Sequence, residues 1–213
     1  MDQHLKSIVD KRVHKVMENL QKNNMLAIYL SSKEEVPGKI AELVKEGETV
    51  ALGGSMSLFE ARVIDHLRSG RYNFLDRYAE GLTREQMEEI YRQSFFADAY
   101  ITSTNAITLD GRLYNVDGNG NRVAAMIYGP KSVIVVAGIN KIVNNMDEAY
   151  ERLRNIAAPA NAVRLSKNTP CAKTGTCMDC KSEDRICSSY VILGWQKAKN
   201  RIKLILVGED LGY

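Results

Sequence analysis

Hydrophobic and polar residues follow two different spacings along this chain of 213 residues. Short uninterrupted apolar runs predict buried strands, and apolar positions three and four residues apart predict helices between them. The strands are expected at residues 25–30, 49–52, 72–75, 99–101, 132–137, 190–193 and 202–207. Strands that alternate with helices in this way favour right-handed crossover connections. We therefore expect an α/β fold whose mostly parallel sheet is covered by helices on both faces.

Several of the predicted helices have recognisable boundaries. Residues 3–23 carry an apolar stripe over about five turns, which indicates an amphipathic helix packed on the core or on a second subunit. A later helix, which begins near Asn145 or Asp147, is expected to kink or end at Pro159. Three pairs of residues have the spacing of a capping box at a helix start: Ser32 with Glu35, Ser57 with Glu60, and Thr83 with Gln86.

The stretch 98–138 contains two buried strands and two polar loops between them. In the loop 117–121 every side chain is either absent or a short carboxylate or amide, so the backbone can visit left-handed conformations and turn its N–H groups towards a ligand. Arg122 follows as a partner for a carboxylate or a phosphate. The candidate ligand-binding residues of this stretch are Thr104, Asn105, Asp117, Gly118, Asn119, Gly120, Asn121 and Arg122.

A second candidate loop follows the strand at residues 49–52. Two glycines allow a sharp turn into a helix, whose free N–H groups suit a phosphate, a carboxylate or a group like coenzyme A. The alternative is purely structural, because a strand–turn–helix connection needs such glycines in any case. Glu60 either caps the helix or faces the ligand. The candidate residues are Gly53, Gly54, Ser55, Ser57 and Glu60.

Four cysteines lie within 17 residues, at Cys171, Cys177, Cys180 and Cys187. In a reducing compartment such a cluster favours a metal centre over disulfides. The spacing of the first three is one residue longer than that of plant-type ferredoxins, which favours an iron–sulfur cluster. Zinc is the alternative, although only Cys177 and Cys180 form a close pair. Reduced cysteines that bind nothing remain a third interpretation.

Composition and charge narrow the class of protein. With 45% hydrophobic residues, we expect one domain over residues 1–213, with 3–23 and 167–189 as appendages. The 29 basic and 26 acidic residues are mixed along the chain, which argues against a nucleic-acid partner. No apolar run approaches the ~20 residues that span a bilayer, and the charged first residues do not resemble a signal peptide. A cytoplasmic protein without a membrane partner is expected.

Three segments resemble the LUD-domain family of lactate-utilization proteins: GGSMSLFE, ADAYITSTNAITLDGRL and DGNGNRVAAMIYGPKSVIVVAG. The resemblance implies a fold similar to that of the sugar-isomerase and CoA-transferase superfamily, with the site in loops at the carboxyl ends of the strands. The segment 138–143 resembles a turn of this family, in which Asn140 and Lys141 reach the cleft; a surface turn is the alternative. Residues 208–213 are expected to return towards the cleft, as in the family.

The resemblance also implies a function. We expect the chain to take part in the oxidation of L-lactate or a related organic acid, with iron–sulfur partner subunits, and to bind a small anionic metabolite. One alternative is a stand-alone isomerase or CoA-transfer enzyme with Glu60 or Asp117 as base or nucleophile, although no spacing joins a nucleophile to a base. The other is a non-catalytic metabolite-binding subunit. Gly118 and Gly120 lack the third glycine of the dinucleotide-binding fingerprint. The amphipathic first helix is compatible with a homodimer.

Overall fold

The structure is a computed structural model that describes residues 2–213. Ten strands occur in these residues: β1 Leu26–Leu30, β2 Thr49–Leu52, β3 Asn73–Leu75, β4 Ala99–Thr102, β5 Ala106–Thr108, β6 Leu113–Asp117, β7 Ser132–Gly138, β8 Ile142–Val143, β9 Ser189–Leu193 and β10 Ile202–Val207. Six of them form one sheet in the order β1-β10-β7-β4-β2-β3, with every neighbouring pair parallel. The predicted parallel α/β sheet is confirmed.

A second sheet has the order β8-β5-β6-β9. Its β5–β6 and β6–β9 pairs are antiparallel, whereas β5 and β8 are parallel. The sequence analysis predicted β9 as a strand but did not predict this sheet, because strands of two to five residues are too short to show a clear periodicity. Gly111, with φ +79°, makes the turn between β5 and β6.

The described helices are α1 Gln3–Lys22, α2 Val36–Leu43, α3 Met56–Glu60, α4 Val63–Leu67, α5 Arg84–Gln93, α6 Asn121–Tyr128, α7 Met146–Arg152, α8 Ala158–Arg164 and α9 Pro170–Thr174. Short 3₁₀ turns occupy Lys33–Glu35, Ser94–Phe96 and Ile139–Lys141, and a π-helical turn at Leu153–Ala157 joins α7 to α8. Pro159 therefore lies in the first turn of α8, where its missing N–H is tolerated. None of the helices in residues 2–213 combines the length and the apolar character that crossing a membrane requires.

The capping boxes at Ser32 and Thr83 are confirmed, but the one expected at Ser57 is wrong. Helix α3 begins two residues earlier, with Ser55 at its N-cap. The chain does not continue as one helix to residue 67, because Arg62 adopts a left-handed φ of 53° between α3 and α4. Ser57 and Glu60 form hydrogen bonds with the C-terminal residues Leu211 and Gly212 instead.

Two hydrophobic clusters cover the two faces of the six-stranded sheet. Helices α2, α3 and α4 pack on one face. The other face is covered by α1, α6 and the second sheet, so the expectation of helices alone on both faces was incomplete. Val13, Val16 and Leu20 of α1 are buried in this second cluster, so the apolar stripe of α1 packs on the core.

The parallel sheet determines where a site can form. Strands β2, β4 and β7 are neighbours with the same direction. The segments that follow them, 53–57, 103–105 and 139–141, therefore emerge together at one edge of the sheet. The loop 117–121 after β6 reaches the same place.

Candidate functional site

A cleft of about 1290 Å³ opens at this edge of the sheet. Its volume is larger than that of most small-molecule pockets, which measure roughly 300–1,000 Å³. Its walls carry eight Lys or Arg residues but four Asp or Glu residues. The cleft is therefore suited to an anionic ligand.

Most of the predicted ligand-binding residues line this cleft: Gly54, Ser55, Ser57, Thr104, Asn105, Asp117, Gly118, Asn119, Asn121 and Arg122. Gly53, Glu60 and Gly120 do not belong to the lining. Gly120 is the N-cap of α6 and has a left-handed φ of 78°. Glu60 accepts a hydrogen bond from the backbone N–H of Gly212 at 2.8 Å, so its carboxylate neither caps α3 nor faces the cleft.

Arg122 is buried and holds the loops of the site together. Its Nη1 donates to the carbonyl oxygen of Ser103 at 3.1 Å and to Asn115 Oδ1 at 3.0 Å. Its Nη2 donates to Asn105 Oδ1 at 3.2 Å and to the carbonyl oxygen of Val116 at 2.7 Å. Because these donors are used by the protein, Arg122 positions the loops and adds positive charge.

The turn after β2 has a glycine because Arg122 packs against it. A Cβ at Gly53 would lie 2.6 Å from Thr102 Oγ1 and 3.0 Å from Arg122 Cδ, which is closer than real Cβ contacts allow. The absence of a side chain lets the guanidinium stem lie directly on the turn.

Lys141 lies at the floor of the cleft and is only 2% exposed. Its Nζ donates to Ser57 Oγ at 2.9 Å and to Ser103 Oγ at 3.0 Å. The two hydroxyl oxygens are 3.4 Å apart. Among the ion pairs formed within residues 2–213, none includes Lys141. The ammonium group is thus buried with two hydroxyl partners and no carboxylate.

This environment changes the protonation of Lys141. Burial, followed by the positive charges of Arg152 and Arg122, lowers the pKa of Lys141 to about 7, with a smaller opposing effect of Glu60. At neutral pH the group is therefore divided between ammonium and free amine. The ammonium form attracts an anion, and the amine form is a base or a nucleophile.

Ser103 was not predicted as a site residue, and Lys141 was predicted only as part of a family-like turn. The signal for Lys141 was a lysine in the run 133–143, in which the one other polar side chain is Asn140. Ser103 lay inside the predicted polar loop, yet nothing local distinguished it from its neighbours. Its importance depends on its distance to Lys141, which is 38 positions further along the chain.

A second cation lies beside the loop 53–57. The guanidinium of Arg77 lies 4.7 Å from the ring centre of Tyr91 and 5.4 Å from that of Tyr78. Its Nη2 donates to Tyr91 Oη at 2.7 Å, and its Nη1 would be 3.5 Å from a Cβ at Gly54. The rings hold Arg77 in place by cation–π attraction. Arg77 was not among the predicted site residues.

The segment 208–213 returns to the cleft, as expected. Ser57 Oγ donates to the carbonyl oxygen of Leu211 at 3.1 Å. Asn140 Nδ2 donates to the carbonyl oxygen of Gly212 at 3.0 Å, and Asn140 Oδ1 accepts from the N–H of Leu211 at 3.2 Å. Tyr213 itself lines the cleft. This segment therefore closes the floor of the site behind Lys141.

The cysteine-rich segment forms one wall of the cleft through residues 183–186. Arg185 Nε donates to the carbonyl oxygen of Cys187 at 2.9 Å, and its Nη2 donates to Asp179 Oδ1 at 2.9 Å. The N–H of Ser188 donates to the carbonyl oxygen of Asp117 at 3.0 Å. The segment is thus attached to the loop 117–121.

All four cysteines are half-buried and free. Burial raises the pKa of the Cys187 thiol, while Arg185 opposes this rise and Cys177 and Cys180 add to it. Across residues 2–213, however, no three His, Cys, Asp or Glu side chains are arranged as ligands of one metal ion. The thiols are suitable donors, but their placement does not fit a metal centre.

The fold and the site together define an α/β protein with a cleft at the carboxyl edge of a parallel sheet, lined by more basic than acidic residues. The LUD domain model matches residues 13–207, so the chain belongs to the LUD domain family. A comparison with curated proteins finds no match.

Solved structures provide a comparison of folds. A crystal structure of a DUF162 family protein from Deinococcus radiodurans is similar over 94% of this chain and 98% of that chain, with 16% identity and a TM-score of 0.57. At this identity the likeness shows a shared fold. Two partial matches are eIF2B beta and eIF2B delta from Chaetomium thermophilum, each with a TM-score of 0.37. They are 15% and 17% identical, and they cover 55% and 56% of this chain and 41% and 50% of theirs.

Proposed function

We propose that this protein takes part in the oxidation of L-lactate or a related organic acid in the cytoplasm, together with redox partner subunits, and binds the acid in the cleft. Membership of the LUD domain family supports a role of the lactate-utilization type in general. The observation that carries the binding site is Lys141, which is buried at the cleft floor without a carboxylate partner.

A buried ammonium group is costly unless an opposite charge compensates for its loss of hydration. Ser57 and Ser103 supply hydrogen-bond partners to Lys141 but no negative charge. The carboxylate of a small acid would supply that charge. Bound at the floor, it would also raise the pKa of Lys141, because a nearby anion favours the protonated form. Acid binding above about pH 7 should therefore be accompanied by proton uptake.

Arg77 is the second group that supports an acid in this cleft. It stands beside Gly54, whereas Lys141 contacts Ser57 three residues further along the same loop. A ligand on this loop would thus meet a cation at each end.

Calorimetry tests this proposal directly. L-lactate and pyruvate are titrated into the wild-type protein, with lactamide as the uncharged control ligand. Lys203→Met is the matched control variant, because Lys203 is also half-buried and donates to a hydroxyl, Ser132 Oγ at 2.9 Å, but does not line the cleft. The wild type and Lys203→Met should bind both acids and not lactamide, and Lys141→Met should bind them at least about tenfold more weakly.

Two calorimetric results would contradict the proposal. The first is unchanged acid binding by Lys141→Met, and the second is equal binding of lactate and lactamide. Repeating the titration in buffers with different ionisation enthalpies measures the proton uptake.

For the cysteine segment we propose an iron–sulfur centre, with zinc as the alternative. Its support is the spacing of four thiols within 17 residues of sequence. The thiols do not form a coordination group in the structure, so binding of the centre would have to bring them together. Iron, zinc and acid-labile sulfide are measured on protein purified without oxygen. Metal should be lost in the Cys177→Ser, Cys180→Ser double variant and kept in Lys181→Ala, a change of an exposed neighbour. Wild-type protein that contains neither iron nor zinc would refute the proposal of a metal centre at the cysteines.

A second candidate function is acyl transfer or isomerisation without partners. The contact between Ser103 and Lys141 favours it, because a hydroxyl and an amine at 3.0 Å are a nucleophile and a base. Asp117 and Glu60 are engaged elsewhere, by the N–H groups of Arg122 and Gly212. Turnover of a CoA thioester that Ser103→Ala abolishes and Glu60→Gln keeps would establish this function. Its absence, with stable binding of partners, would favour a non-catalytic metabolite-binding subunit.

A further inference from the structure

We propose that Lys141 captures a 2-oxo acid covalently, by forming an imine between its Nζ and the carbonyl carbon of the acid. This inference rests on the proposed function, because oxidation of a 2-hydroxy acid yields a 2-oxo acid in the same cleft. It gives the site a means of distinguishing the two acids, since a 2-hydroxy acid has no carbonyl carbon that an amine can attack.

The surroundings of Lys141 are those of an amine that can lose its proton. Its Nζ contacts two hydroxyl oxygens, at 2.9 Å and 3.0 Å, and no carboxylate among the described residues pairs with it. A permanent ion pair with a carboxylate of the protein would keep nearly every copy of Lys141 as an ammonium ion without a free electron pair. Without such a pair, part of the population is free amine when a 2-oxo acid arrives. Hydroxyl partners place no such restriction on it, because they can donate as well as accept a hydrogen bond.

The positive charges near Lys141 also favour its unprotonated form. Burial and the guanidinium groups of Arg152 and Arg122 lower the pKa of Lys141 to about 7. A lysine that is desolvated and close to other cations is an activated nucleophile at neutral pH. The same cations attract the carboxylate of the incoming acid, which brings the adjacent carbonyl group into the cleft.

The reaction requires no oxidant or reductant. The electron pair of the amine forms the C–N bond, and the π electrons of the carbonyl group move to its oxygen. The nitrogen loses a proton and the oxygen gains one, a transfer that the hydroxyl of Ser57 or Ser103 can relay. The electron pair of the nitrogen then forms the C=N bond and expels the hydroxyl group as water. The second proton of this water is the remaining N–H proton of the amine, so the product is the neutral imine. Addition of water reverses the sequence and releases the acid.

The test is reductive trapping with pyruvate and sodium cyanoborohydride, followed by intact-mass measurement and peptide mapping. In the wild type, a single adduct should saturate with pyruvate and map to Lys141. Lys203→Met, the matched control outside the cleft, should be trapped equally, and Lys141→Met should not be trapped. The double variant Ser57→Ala, Ser103→Ala keeps the amine and loses the relay, so its adduct at Lys141 should form more slowly by roughly a hundredfold or more.

The outcomes separate this inference from the proposed function. Pyruvate that binds by calorimetry but gives no adduct, or adducts spread evenly over surface lysines, would overturn the covalent step and leave the acid-binding site in place. Absence of both lactate and pyruvate binding would overturn the two together. If Lys141→Met does not fold, the position of the adduct in the wild type decides the question.

Discussion

The pH dependence of stability offers a direct test of how Lys141 is buried. The pKa of this lysine falls from 10.5, its ordinary value, to about 7 in the folded protein. Between these values the unfolded chain binds more protons than the folded one, so the free energy of unfolding rises with pH. Below about pH 7 the full penalty of burying the ammonium group is present, and it is relieved as the pH increases.

The size of the change in the free energy of unfolding follows from the pKa shift of Lys141. One pH unit within this window adds at most about 1.4 kcal/mol. Between about pH 6 and about pH 9, the contribution of Lys141 to the free energy of unfolding should therefore rise by about 3 kcal/mol. Lys141→Met removes this contribution. The stability of the wild type minus that of the variant should increase by the same amount over this range.

Urea unfolding followed by circular dichroism at several pH values measures this difference. Other titrating groups are common to both proteins and cancel. Lys203→Met serves as the control, since Lys203 is half-buried and its lowered pKa reflects partial burial and Arg201. A difference in stability between wild type and Lys141→Met that stays constant with pH would refute the reasoning. It would mean that the pKa of Lys141 is the same in the folded and the unfolded protein.

Further substitutions test the loops around Lys141. Arg122→Met should lower the free energy of unfolding by about 3 kcal/mol or more, because each buried acceptor that it orphans costs about 1–3 kcal/mol; a loss below 1 kcal/mol in urea unfolding would contradict its positioning role. Gly53→Ala should destabilise by about 1–3 kcal/mol and weaken acid binding, since its Cβ would lie 2.6 Å from Thr102 Oγ1. Gly38→Ala, which meets no atom within 4 Å, should leave acid binding unchanged. Arg77→Met should weaken lactate binding in calorimetry by about tenfold. Arg84 has an exposed side chain, so Arg84→Met should weaken lactate binding much less.

The parallel sheet could be predicted because its central strands are buried on both faces and appear as continuous apolar runs, such as residues 132–137. The second sheet could not, because β8 has two residues and β5 has three. The capping-box spacing at Ser57 misled the analysis for a related reason. Helix α3 ends after five residues, and Ser57 and Glu60 are bound by residues more than 150 positions away.

The cleft was predictable to the extent that parallel strands place the loops that follow them at one edge. Its polar loops were located in this way, with Gly54 and Asp117 in the lining. The burial of Lys141 was not predictable, because it depends on Ser57, Ser103 and Leu211, which come from three distant parts of the chain. Sequence patterns describe neighbours along the chain, whereas this site is made by neighbours in space.

The bonds between the loop 53–60 and the segment 208–213 have a consequence for the order of folding events. The contacts Ser57–Leu211 and Glu60–Gly212 close loops of 154 and 152 residues. Such long closures are entropically slow, so they form after the local helices and hairpins. Refolding should thus restore secondary structure first and the enclosed lysine pocket last. During that interval the molecule would have its local helices and hairpins but an open, hydrated floor where Lys141 keeps its proton.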